Sequence, residues 1–117
     1  MTPELHSSHI TGTAPGTDLL RLRGQAHQDT AALLHDILSH ALRSLPQPQV
    51  LLVDCSRLTL CTPAGLHQLL TAHRAAYHQG TALRLTGTSE QLRHLIHATG
   101  ADAVLDLPDN GPALGTV

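Results

Sequence analysis

The apolar residues of this chain fall into short blocks with different periods. Val50 to Val53 form an unbroken apolar run that is too short for a helix. Such a run suits a strand buried on both faces of a sheet, and Asp54 closes it at the carboxyl end. Upstream, Leu33, Leu34, Ile37, Leu38, Ala41, Leu42 and Leu45 recur at three- and four-residue spacing, which is one stripe of an amphipathic helix. Asp29 or Thr30 can cap its start, and Pro46 and Pro48 stop it. A second helix is predicted from Pro63, with Thr62 as its cap, Leu66, Leu69, Leu70 and Tyr77 turned inward, and Gly80 as its stop. A third follows Thr88, which forms a capping-box pattern with Gln91. Its inward residues are Leu92, Leu95 and Ile96, and Gly100 ends it.

Strands fill the gaps. Residues 9–13 and 19–23 read as a hairpin around Pro15, Gly16 and Asp18, with Gly24 ending its second strand. Residues 82–87 alternate apolar and polar and read as a strand, and residues 103–107 read as a last strand. Leu58 and Leu60 are two apolar anchors in the connection after Asp54. The order strand-strand-helix-strand-helix-strand-helix-strand predicts an α/β domain. Its sheet is mostly parallel, of four to five strands, with an N-terminal hairpin and about three covering helices. Residues 1–8 and 108–117 are expected to be loose ends flanking one domain over 9–107.

Composition narrows the chemistry. The chain has no Phe or Trp and a single Tyr, so its core must be aliphatic. It carries seven Arg, no Lys and a formal charge of -2, which argues against nucleic acid as a partner. Cys55 and Cys61 form no CxxC pair and read as reduced thiols near a core. The first twenty residues lack a basic start with an apolar run, and no segment reaches the ~20 apolar residues that a membrane span needs. A cytoplasmic protein without membrane insertion is therefore expected. Among the ten histidines, His94 and His97 have i,i+3 spacing on a predicted helix. No HExxH or Cys/His cluster accompanies them, so neither a metal nor a cofactor is expected. Catalysis is not expected either: Cys61 has no base in reach, because His67 faces away from it along the helix.

The stretch Leu60-Cys61-Thr62-Pro63-Ala64-Gly65-Leu66 carries a resemblance. With the strand "VLLVDCS" before it and "HRAAYHQGTALRLTGTSEQLRHLIHATGADAVLDL" after it, this region resembles the STAS domain of bacterial anti-sigma-factor antagonists. The likeness extends over about residues 9–107. It implies a STAS fold and a non-catalytic domain that docks an anti-sigma factor with an ATPase or kinase fold. In that family the second helix opens with Asp-Ser-Ser/Thr-Gly-Leu. Aligned on Gly65 and Leu66, the Asp falls on Thr62, the phosphorylated Ser on Pro63 and the next hydroxyl residue on Ala64. A second family Asp, earlier in the chain, falls on His27.

A phosphate on the first turn of a helix is favoured by free N–H groups and the helix dipole. It adds about -2 charge to a docking surface and so can break a complex. Proline has no oxygen to phosphorylate, and Thr62, one residue earlier, is a poor substitute acceptor, because a capping role commits its hydroxyl to backbone N–H groups. The resemblance places the partner surface at Gly24, His27, Asp29, Asp54, Cys61, Thr62, Pro63, Ala64, Gly65, Leu66 and Thr88. These positions follow the carboxyl ends of the predicted strands, where open α/β sheets place their sites. The chain is expected to be a monomer or weak dimer. A second reading is an accessory subunit of an ABC-type phospholipid transport complex, whose "Thr-Ala-Gly-Leu" helix start "TPAGL" partly echoes.

Overall fold

The computed structural model describes residues 5–44 and 46–101. Strands β1 (Leu5–Ala14) and β2 (Thr17–Ala26) form the N-terminal hairpin. A 3-10 turn (Gln28–Thr30) leads into α1 (Ala31–Leu42). Then come β3 (Val50–Cys61), α2 (Pro63–Gln79), β4 (Ala82–Thr86) and α3 (Glu90–Ala98). The four strands lie in the order β1-β2-β3-β4. β1 and β2 are antiparallel, whereas β2, β3 and β4 run parallel.

Parallel neighbours require crossovers, and these are right-handed almost without exception. Two crossovers that step in the same direction put α1 and α2 on the same face of the sheet. Burial follows that geometry. Leu20 and Leu22 of β2, Leu51, Val53 and Cys55 of β3, and Leu83 and Leu85 of β4 are buried on the covered side. Leu34 and Leu38 of α1, Leu66 and Leu69 of α2, and Leu92 and Ile96 of α3 complete an aliphatic core. Arg21 and Arg23 alternate with the buried leucines of β2 and stay exposed.

Several expectations need correction. β1 begins at Leu5, inside the segment read as loose, because Leu5 packs into the core at 2% exposure. β3 does not end at Asp54. It runs to Cys61, and Gly24 does not end β2, because the two strands keep pairing through Gly24–Leu58, Gln25–Leu60 and Ala26–Cys61. Register shifts on either side of Gly24, whose φ is 114°, absorb the mismatch in length as bulges. Leu58 is buried as expected, but Leu60 faces outward at 37% exposure.

The helix boundaries also shift. Thr30 holds the N-cap position of α1, as one of the two expectations had it, but without a side-chain capping bond. It ends a 3-10 turn that also contains Asp29 and that His27 caps, with Nδ1 accepting from the Asp29 N–H at 3.1 Å. Thr30 Oγ1 accepts from the His27 N–H at 3.0 Å and donates to the Gln25 carbonyl at 2.9 Å. α1 ends at Leu42, ahead of both prolines. Thr62, Pro63 and Gly80 bound α2 as predicted, with Gly80 left-handed at φ 84°. Tyr77 is not inward: it is 75% exposed, and Ala72 and Ala76 carry the stripe instead. The cap of α3 is Ser89, one residue past Thr88. Leu45 and the expected strand over 103–107 lie outside the described residues.

Candidate functional site

Three connections meet at the carboxyl ends of the parallel strands: the His27–Thr30 turn after β2, the Thr62–Pro63 junction after β3 and the Gly87–Ser89 loop after β4. The first two are locked together. The Thr62 N–H donates to the Ala26 carbonyl at 2.9 Å, and Thr62 Oγ1 lies 3.4 Å from the same oxygen. A Cβ on Gly65 would stand 2.5 Å from that carbonyl oxygen. Only glycine lets the first turn of α2 press this closely on the end of β2.

The result is a shallow depression on the surface, lined by His27, Asp29, Leu60, Thr62, Pro63 and Ala64. Pro63 is exposed at the first helical position, where a missing N–H costs nothing. Thr62 is extended, with φ -93° and ψ 172°, but its side chain makes no capping hydrogen bond. Its hydroxyl is turned toward the Ala26 carbonyl instead.

The remaining residues expected at a partner surface separate into two groups. Cys61, Gly65, Leu66 and Thr88 are buried, so they shape the site from beneath and offer no side chain to a partner. Gly24, half-buried in β2, accepts at its carbonyl from Thr59 Oγ1 at 3.1 Å. Asp54 lies elsewhere, on the uncovered side of the sheet. Its Oδ1 accepts from the Ser56 N–H at 2.9 Å, and its Oδ2 is 3.9 Å from Arg21 Nε. Gly87, left-handed at φ 63°, runs against it: a Cβ there would be 2.9 Å from Asp54 Oδ1.

The third connection is tied in by a link that the sequence reading missed. Gln91 of α3 pairs with the backbone of Cys61 like an added strand residue. Its Oε1 accepts from the Cys61 N–H at 3.1 Å and its Nε2 donates to the Cys61 carbonyl at 2.8 Å. Its spacing from Thr88 signalled a capping box, and nothing local pointed to Cys61, thirty residues away in the chain. The Cys61 thiol is 1% exposed, and burial raises its pKa from 9.0 to about 11. A thiol held neutral in this way is a poor nucleophile. Among the described residues no three His, Cys, Asp or Glu side chains gather into a metal site, and no helix is long and apolar enough to cross a membrane.

A family model described as "Mlab, STAS domain" matches residues 10–107. The chain belongs to the STAS domain family. Solved structures share its fold. An anti-sigma factor antagonist from Mycobacterium paratuberculosis superposes with a TM-score of 0.72 at 21% identity, over 91% of this chain and 87% of the other. A sulfate transporter family protein from Wolinella succinogenes gives 0.68 at 22% identity, over 80% and 74%. The anti-sigma factor antagonist SpoIIAA in its unphosphorylated form gives 0.69 at 15% identity, over 87% of both chains. SpoIIAA from Bacillus has also been solved phosphorylated. No curated protein sequence matches this STAS domain.

Proposed function

We propose that this STAS domain is a non-catalytic docking module that binds an anti-sigma factor of ATPase or kinase fold, and that phosphorylation does not control the docking. The reading places it in the cytoplasm as a regulator of transcription. The observation that carries it is Pro63. This residue is exposed on the first turn of α2, inside the depression shared with the His27 turn, at the position that the family motif gives to a phosphorylated serine. A rigid ring there pre-sets the helix start and holds the surface in one charge state. His27, Asp29, Leu60, Thr62 and Ala64 supply the surrounding contacts. Thr62 is a weak substitute acceptor, because its hydroxyl is half-buried against the Ala26 carbonyl.

The test is to mix the purified domain with ATPase-fold anti-sigma factors from the same cell and ATP, then weigh the intact chain. A complex with no added phosphate supports the reading, and Pro63→Ser should then acquire one phosphate and release the partner. A phosphate on Thr62 in the parent chain would mean that the switch has moved by one residue. The second reading, an accessory subunit of an ABC-type phospholipid transporter, draws on the "TPAGL" helix start and on the transporter-family protein among the similar structures. Binding to a transporter ATPase and to no anti-sigma factor would favour it.

A further inference from the structure

On the side of the sheet away from α1 and α2, the side chains form rows across the strands. One row is Ile10, Leu19, Leu52 and Arg84; the next is Ser8, Arg21, Asp54 and Thr86; the third is His6, Arg23 and Arg57. A groove of about 390 Å³ crosses the second and third rows, lined by His6, Ser8, Arg21, Arg23, Ser56 and Arg57 among others. That volume is within the range of binding clefts, roughly 300–1,000 Å³.

The charges in this groove are unbalanced. Among the described residues lining it, Arg21, Arg23 and Arg57 face a single carboxylate, Asp54. Asp54 is already engaged by the Ser56 N–H and lies near Arg21. Arg23 and Arg57 are direct neighbours in register, and both are exposed. Neither makes an ion pair or side-chain hydrogen bond with a described residue. Like charges placed opposite each other across a sheet are destabilising. The chain as a whole has a formal charge of -2, so this cationic groove stands out against an acidic remainder.

We propose that the groove binds an acidic, extended segment of a partner protein, with one of its carboxylates seated between Arg23 and Arg57. A guanidinium grips a carboxylate through two parallel hydrogen bonds. Arg21 and Arg23 stand about 6.6 Å apart along β2, which matches alternate residues of an extended chain. Three guanidiniums on two strands exceed what one small oxyanion can span. A concave site also fits a chain with protruding carboxylates better than it fits a flat bilayer. Ser8 and Ser56 add hydroxyl donors along the same path. This surface lies on the other side of the sheet from α2, so the proposal stands apart from the docking assigned to Pro63.

The probe is a fluorescein-labelled peptide of alternating glutamate and serine, followed by anisotropy. The peptide should bind saturably at low salt and release as salt rises to about 0.15 M, where screening sets in within ~8 Å. Arg23→Glu and Arg57→Glu should each weaken binding by about tenfold or more, whereas Arg43→Glu and Arg74→Glu, exposed elsewhere, should leave it unchanged. Arg57→Glu should melt no lower than the parent, because it removes a like-charge neighbour. The proposal is overturned if the peptide does not bind, if Arg43→Glu weakens it equally, or if inorganic phosphate displaces it at matching concentration. Binding to phosphatidylserine vesicles without binding to the peptide would also overturn it, in favour of a lipid surface.

Discussion

α2 and α3 both start at the carboxyl end of the sheet, yet they are anchored by different means. α3 uses local chemistry: Ser89 Oγ accepts from the Leu92 N–H at 3.1 Å, one turn along the same helix. α2 uses tertiary contact. No side chain caps it, and its first turn is held by the Thr62 N–H on the Ala26 carbonyl and by the close approach that Gly65 permits. A capped start is stable on its own terms and tolerates change nearby. A start pinned by packing fixes its exposed residues relative to the neighbouring turn, as a docking surface requires. Pro63 and Ala64 therefore stand at a set distance from His27 and Asp29 because of what lies beneath them.

Filling the gap under α2 is the most severe way to break that contrast. Gly65→Ala brings a methyl to 2.5 Å from the Ala26 oxygen and 2.8 Å from the Ala26 Cβ. Backbone cannot yield as a side-chain tip does, so the expected cost is about 3 kcal/mol, the upper part of the range for overpacking. Urea denaturation measures it. A loss below about 0.5 kcal/mol, the range of ordinary surface substitutions, would mean that the approach is not tight.

Cys61 joins both starts and gives the next effect. Its pKa rises from 9.0 to about 11 through burial. Below pH 9 the thiol is protonated in the folded and unfolded states alike, and it contributes no pH dependence. Between pH 9 and 11 the unfolded thiol ionises while the folded one keeps its proton. The unfolded state then binds fewer protons, so stability falls as pH rises. Two pKa units correspond to about 2–3 kcal/mol lost by the upper limit. Cys61→Ala should flatten this alkaline slope relative to the parent. Equal slopes in the two chains would show that the thiol does not couple to folding.

Much of this architecture is legible in the sequence where signals are local. The leucine stripe of α1, the Val50–Val53 strand, and the Pro63 and Gly80 boundaries of α2 follow from spacing and backbone preference alone. The errors share a cause. Asp54 reads as the end of a strand and Arg57 as part of the connection after it, but pairing with a lengthened β2 carries the strand on through both. Tyr77 falls on the helical stripe by spacing, yet in the second half of α2 the buried positions are the alanines at 72 and 76. At the candidate site the motif drew attention to Pro63 and Gly65, which stand on the first turn of α2, one exposed and one buried. It could not separate the exposed Asp29 and the half-buried His27 and Ala64 from the buried Cys61, Leu66 and Thr88, because burial depends on the strand beside them. The arginine groove had no local signal at all: Arg23 and Arg57 meet only through the register of β2 with β3.

The smallest effect sharpens the comparison most directly. Ser89→Ala removes a cap that is made, and should cost about 1 kcal/mol. Thr62→Ala removes a residue at the cap position whose side chain does not cap, and its 3.4 Å contact to the Ala26 carbonyl is a poor hydrogen bond. It should cost no more than about 0.5 kcal/mol. The two substitutions delete hydroxyls at equivalent positions of two helices, so urea midpoints measured side by side cancel most differences in the unfolded state. If Thr62→Ala costs as much as Ser89→Ala, the Thr62 hydroxyl serves the helix in solution and is not available to a kinase. If it costs the smaller amount, the hydroxyl is idle in folding. Any loss of partner binding in Thr62→Ala then reports the docking surface itself.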